Sequence, residues 1–160
     1  MASRTAQRTP QRTPPAGSNA SRPVMLATLS VRVDAGAERM ALDSALETGA
    51  PLIVANMLTL RPYPLTVMLS PEHANLPAEE DLDAVRATAN RAVALGIPTE
   101  LMRVSSLHPI QAMLELAGER EVGLLVFGPD RTRVARHRFR RAARAVRRDA
   151  PCLVWIAGDG

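Results

Sequence analysis

Four short stretches of this chain are apolar almost without interruption: VMLATLS (24–30), PLIVANML (51–58), VGLLVFG (122–128) and CLVWIAG (152–158). None approaches the ~18–20 residues of a membrane span. Strands read this way when side chains are buried on both faces, and such strands belong to a mostly parallel sheet covered by helices. A fifth stretch, TELMRVSS (99–106), alternates polar and apolar residues. That pattern is expected at a sheet edge.

Helical segments separate these runs. DAGAERMALDSALETG (34–49) opens on Asp34, a good N-cap, and stops at Gly49. Its apolar stripe is Ala37, Ala41 and Ala45 with Leu42 and Leu46. EEDLDAVRATANRAVALG (79–96) carries an acidic first turn that suits the helix dipole, and Leu82, Val85, Ala89, Ala92 and Val93 are expected to face the core. HPIQAMLELAG (108–118) has Pro109 in its first turn. A basic helix is expected at about 133–148. Residues 61–78, with four prolines, read as a long crossover insert.

Strand alternating with helix gives the α/β class: one doubly wound, flavodoxin- or Rossmann-like domain over residues 23–158, with right-handed crossovers and helices on both faces. In such a sheet a ligand sits beyond the carboxyl ends of the strands, where strand order reverses. That places the loops after Ser30, Leu58 and Gly128 around any site. Residues 1–22, with the repeat Gln-Arg-Thr-Pro, read as a disordered basic, Pro-rich tail.

Charge is distributed unevenly. All 20 basic residues are arginine and the net charge is +4. Residues 131–148 hold nine of the arginines and no acid, whereas 24–127 is net acidic. The signal for a partner is therefore a local basic patch. On a helical wheel Ala135, Phe139, Ala142 and Val146 share one side with Val134 and Ala145. Arg133, Arg136, Arg140, Arg141, Arg144, Arg147 and Arg148 take the other. Arginines at 136, 140, 144 and 148 form a like-charge ladder that costs stability without local compensation. A solvated face is the plain explanation. The alternative is an external anion: nucleic acid, polyphosphate or an acidic protein surface.

The single cysteine, Cys152, excludes an internal disulfide and opens an apolar strand, as a buried inert thiol would. The N-terminus lacks an apolar signal segment, so a cytoplasmic protein is expected, with no membrane partner.

Three motifs stand in a known order. VMLATLS matches an ILVATDGS-like first strand, VGLLVFGPDR an ADLIVMGSRG-like fourth strand, and RRDAPCLVWIA an RHAPCPVLVV-like C-terminus. In these the chain resembles the universal stress protein family. The resemblance implies a five-stranded sheet of order 3-2-1-4-5 and a homodimer. One branch of that family binds ATP through Gly-x-x-Gly, nine residues and Gly-Ser/Thr, with an Asp after the first strand. Small residues there let backbone N–H groups reach the phosphates. The present chain has Leu29 for the Asp, Gly128 for the first Gly, Arg131 for the second, and Arg140 and Arg141 for the last pair. It resembles the branch without the glycines. The expectation is a protein without an ATP cofactor, and ATP or AMP binding through a modified loop is the alternative. Residues 131–148, as an anion- or nucleic-acid-associated module, are the second alternative.

A nucleotide or small anion, if bound, is expected near Thr28, Arg32, Met57, Gly128, Arg131 and Arg141. Arg32 and Arg131 follow neighbouring strands; two exposed arginines are the plain reading, and convergence of their guanidinium forks there is the alternative. The dimer edge is expected at Leu153, Val154, Trp155 and Ile156, an uncharged edge strand that a two-fold partner would cover. Enzyme chemistry finds no support. His73, His108 and His137 lack metal-ligand spacing. Ser105, Ser106 and His108 lack a nucleophile elbow and read as a helix cap. Glu79, Glu80, Asp81 and Asp83 read as a helix start.

Overall fold

The computed structural model describes residues 21–60 and 78–158. Five strands, β1 (Val24–Thr28), β2 (Leu52–Thr59), β3 (Thr99–Ser106), β4 (Leu124–Phe127) and β5 (Leu153–Ile156), form one parallel sheet of order β3-β2-β1-β4-β5. The apolar runs supply its middle. All five residues of β1 are buried, and Val24 registers with Leu52 on one side and Leu124 on the other. The alternating segment is edge strand β3, as its pattern dictates.

Helices α1 (Ala35–Thr48) and α2 (Glu79–Ala94) cover one face; α3 (Pro109–Glu119) and α4 (Arg136–Asp149) cover the other. The period of two along β1 divides the core. Val24 and Leu26 pack with α1 and α2, while Met25 and Ala27 pack with α3 and α4. Of the insert expected at 61–78 and the tail expected at 1–22, residues 61–77 and 1–20 lie outside the described residues.

Local signals set the helix ends. Asp34 accepts hydrogen bonds from the Gly36 and Ala37 amides at 2.9 and 3.1 Å, and Gly49 closes α1 at φ 65°. Ala37, Ala41 and Ala45 are buried, whereas Leu46 is exposed. Helix α2 buries Val85, Ala89 and Ala92 of its expected face, with Asp81 and Thr88 beside them; Leu82 is half-buried and Val93 lies in solvent.

The basic helix starts at Arg136 rather than 133, because residues 131–134 form a turn. Its buried side is Phe139, Ala142, Ala143 and Val146; Ala135 is an exposed N-cap. Phe139 stacks on Phe127 of β4, ring centroids 5.8 Å apart. Burying such a side chain contributes about 1.5–3 kcal/mol, which is what anchors a helix so rich in charge.

Gly128 is required by packing. A Cβ there would lie 2.0 Å from the Ala37 Cβ, so helix α1 reaches β4 only because residue 128 has no side chain. Gly128→Ala is expected to destabilise the fold by about 1–3 kcal/mol, as overpacking does. Urea unfolding with an unchanged midpoint would contradict this packing role.

Candidate functional site

Strand order reverses between β1 and β4, and the crevice beyond their carboxyl ends is where a doubly wound sheet takes a ligand. Here the two loops that bound it are joined. The Asp34 amide donates to the Gly128 carbonyl at 2.9 Å, the Asp130 amide donates to the Arg32 carbonyl at 2.9 Å, and Val33 bridges Pro129. The loop after β4 also uses its own donors. The Thr132 amide and hydroxyl both donate to the Asp130 carboxylate (2.9 and 2.7 Å), and the Arg133 amide donates to the Asp130 carbonyl at 3.0 Å. The Thr132 hydroxyl holds the Asp130 carboxyl below its ordinary range; burial opposes this, and the Thr132 amide and the charges of Arg32 and Arg133 reinforce it. The amides of Asp130, Thr132 and Arg133, which a phosphate cradle would aim at an anion, are thus already engaged.

Above this seam lies a charged cluster. Asp81, in the first turn of α2, has a side chain only 6% exposed. One carboxylate oxygen accepts from the Arg32 amide at 3.1 Å and from Arg32 Nε at 3.3 Å; the other accepts from Arg133 Nη1 at 3.1 Å. Glu80 also accepts from both arginines: Arg32 through Nη2, and Arg133 Nη2 at 3.4 Å. Two acids from one helix start therefore hold two guanidiniums from the loops after β1 and β4. The carboxylates raise the Arg32 pKa further, so it stays charged.

The residues expected at the site fall in separate surroundings. Thr28 is buried and donates to the Val31 carbonyl at 2.6 Å, shaping the turn in which Ser30 takes φ 57°. Asn56 and the Met57 carbonyl hold Ser30 from β2, and the Met57 side chain is fully buried. Gly128 lies under α1. Arg131 does not meet Arg32. Its guanidinium lies 5.2 Å from the centroid of the Phe139 ring and donates to the Gly158 carbonyl at 3.3 Å. The partner across the crevice is Arg133, because the turn at 131–133 directs successive side chains to opposite sides. Arg141 lines a groove between α3 and α4 with Leu29, His108, Ile110 and Ala142.

Sequence reasoning missed the role of Glu80 and Asp81. A usable signal was present. In the inferred topology the start of a helix that follows β2 lies at the same sheet end as the loops after β1 and β4.

A second groove, of ≈530 Å³, runs between α1 and α2 and is lined by Arg32, Glu38, Leu42, Thr88 and Arg91 among others. Arg91 grips Glu38 through two bonds, 2.5 and 2.7 Å, and Thr88 adds a third at 2.7 Å. Burial opposes the Glu38 charge, but these bonds outweigh it and hold the carboxyl below its ordinary 4.5. Burial pushes the Cys152 thiol up, away from reactivity. The His108 amide donates to Ser106 Oγ at 3.0 Å, a helix-start contact. Among the described residues no group of three or more His, Cys, Asp or Glu could hold a metal ion, and no helix is long and apolar enough to cross a membrane.

On the α4 face, Arg133 is drawn into the crevice and Arg148 pairs with Asp149 at 2.8–2.9 Å. Arg138 donates to Thr59 Oγ1 at 2.8 Å. Arg136, Arg140, Arg141, Arg144 and Arg147 are exposed. On β5, Leu153 is 75% exposed, Val154 and Trp155 are half-buried and Ile156 is buried.

The sequence profile of the universal stress protein family matches residues 21–158. Solved structures share the fold. A universal stress protein UspA from Lactobacillus plantarum aligns at TM-score 0.66 and 15% identity over 87% of this chain and 99% of its own. A universal stress protein in complex with cAMP aligns at 0.59 and 22%, covering 89% and 100%. One from Archaeoglobus fulgidus in complex with dAMP aligns at 0.52 and 22%, covering 84% and 95%. A search of the curated proteins finds no match.

The buried member of the cluster is the carboxylate, so removing its cations costs more than removing it. Replacing Arg32 and Arg133 together by Met is expected to destabilise the protein more than Asp81→Asn does. Equal or inverted losses in denaturant unfolding would contradict the described cluster.

Proposed function

The chain belongs to the universal stress protein family, and from that premise we propose that it is a non-catalytic, cytoplasmic regulatory or binding protein whose nucleotide crevice is closed from within. The observation that carries this is the Asp81 carboxylate seated between Arg32 and Arg133. A carboxylate between two guanidinium forks occupies them as a phosphate would, and the amides beneath are already paired. The departures at Leu29, Arg131, Arg140 and Arg141 point the same way.

Nucleotide binding through a modified loop is the second reading. It is supported by the relatives solved with cAMP and dAMP. On that reading the Asp81 bridge opens and phosphate oxygens replace the carboxylate. Mass spectrometry of small molecules released from purified, denatured protein separates the two. The closed crevice predicts no adenine nucleotide; a stoichiometric nucleotide establishes the second reading.

The protein acts as a homodimer through β5. Support comes from the exposed Leu153 on an uncharged edge strand and from the apolar character of Val154, Trp155 and Ile156. Leu153→Arg is expected to shift the mass measured by light scattering from dimer to monomer; an unchanged mass would exclude this edge. Recognition of an anionic partner falls to α4, whose exposed arginines have no acid interleaved among them.

A further inference from the structure

The outer face of α4 is cationic along its length. Arg136, Arg140 and Arg144 are exposed and follow one another at i,i+4. At 1.5 Å per residue they step by ~6 Å and span ~12 Å. Arg141 flanks them. Among the described residues no hydrogen bond or ion pair engages these four. The nearest acids in sequence are committed: Asp130 to Thr132, Asp149 to Arg148. The ladder therefore carries its repulsion uncompensated within the described domain.

The chemistry of this face discriminates among anions. A protein interface needs an apolar centre depleted of charge. The ridge Arg136, Arg140 and Arg144 carries none; the exposed Leu46, Leu60, Val93, Leu95, Leu101 and Leu153 lie off α4, and Leu107 lines the neighbouring α3–α4 groove with Arg141. Single-stranded nucleic acid needs aromatic platforms. Phe127 and Phe139 are buried and Trp155 is half-buried on β5. The amide side chains that read adenine are absent, since α4 has no Asn or Gln. What remains is a regular, dense row of negative charge. Duplex DNA presents one charge per ~1.7 Å of axis, so a row of guanidiniums ~12 Å long meets several phosphates of the backbone at once.

From this we infer that α4 is a docking surface for the phosphodiester backbone of duplex nucleic acid, bound without sequence preference. The inference rests on the anionic-partner reading above and names the partner. Its salt dependence is set by counterion release. Three or four neutralised phosphates give a log–log slope of about −2.7 to −3.6, so affinity falls ~10²-fold between 50 and 200 mM salt.

Fluorescence anisotropy of the full chain with labelled duplex DNA of two unrelated sequences, at low and raised salt, is the test. Equal binding to both sequences and the steep salt slope are expected. Arg140→Glu is expected to weaken binding ~10-fold or more while leaving the thermal midpoint unchanged or raised, because the acid pairs with Arg136 and Arg144 at i,i+4. Arg140→Lys is expected to retain most of the binding. Duplex binding insensitive to Arg140→Glu, as binding through the N-terminal arginines would be, overturns the assignment to α4. Binding of polyglutamate as tight as that of the duplex overturns the choice of nucleic acid but leaves the anionic-partner reading standing. No retention of duplex, polyglutamate or polyphosphate at low salt overturns both.

Discussion

A single carboxylate organises the functional end of this sheet. Asp81 is almost fully buried, and a buried charge persists only when paired and hydrogen-bonded. Its partners come from the two loops that define the crevice: Arg32 after β1 and Arg133 after β4. The turn at 131–133, the seam between Arg32 and Asp130, and the seating of α2 are parts of one arrangement. Opening the crevice would separate Asp81 from both cations at once. In a doubly wound fold that crevice is the natural ligand site, so the bridge is a functional statement as well as a structural one.

The fold was legible because its strands are buried on both faces. Runs such as VMLATLS and VGLLVFG admit few architectures, and Asp34, Gly49 and Pro109 mark helix ends by backbone chemistry alone. Strand order followed from the resemblance carried by three motifs, and the sheet has that order. The crevice was less legible. Arg131 and Arg133 are two residues apart, and only the turn geometry decides that Arg133 faces Asp81 while Arg131 lies over Phe139. Asp81 looked like a dipole-complementing acid because that role needs no tertiary information. Gly128 shows the same limit: a glycine after a strand suggests a phosphate turn, but here its missing side chain admits Ala37.

The arginines divide by what surrounds them. Of the arginines in 131–148, the two before residue 134 are engaged by the fold: Arg131 on Phe139 and Gly158, Arg133 on Asp81. Along α4 the apolar side chains Phe139, Ala142, Ala143 and Val146 secure the helix, and the charge opposite them adds nothing to that packing.

The central claim is that the crevice between β1 and β4 is filled by the protein's own carboxylate. The most direct measurement is an NMR titration with ATP, following the backbone amides of Asp34, Asp130, Thr132 and Arg133, the Arg32 Nε–H and the Arg133 Nη–H groups that bond the carboxylates. Closure predicts that these signals stay unshifted at millimolar ATP. Saturable shifts at those amides and guanidinium groups would contradict it.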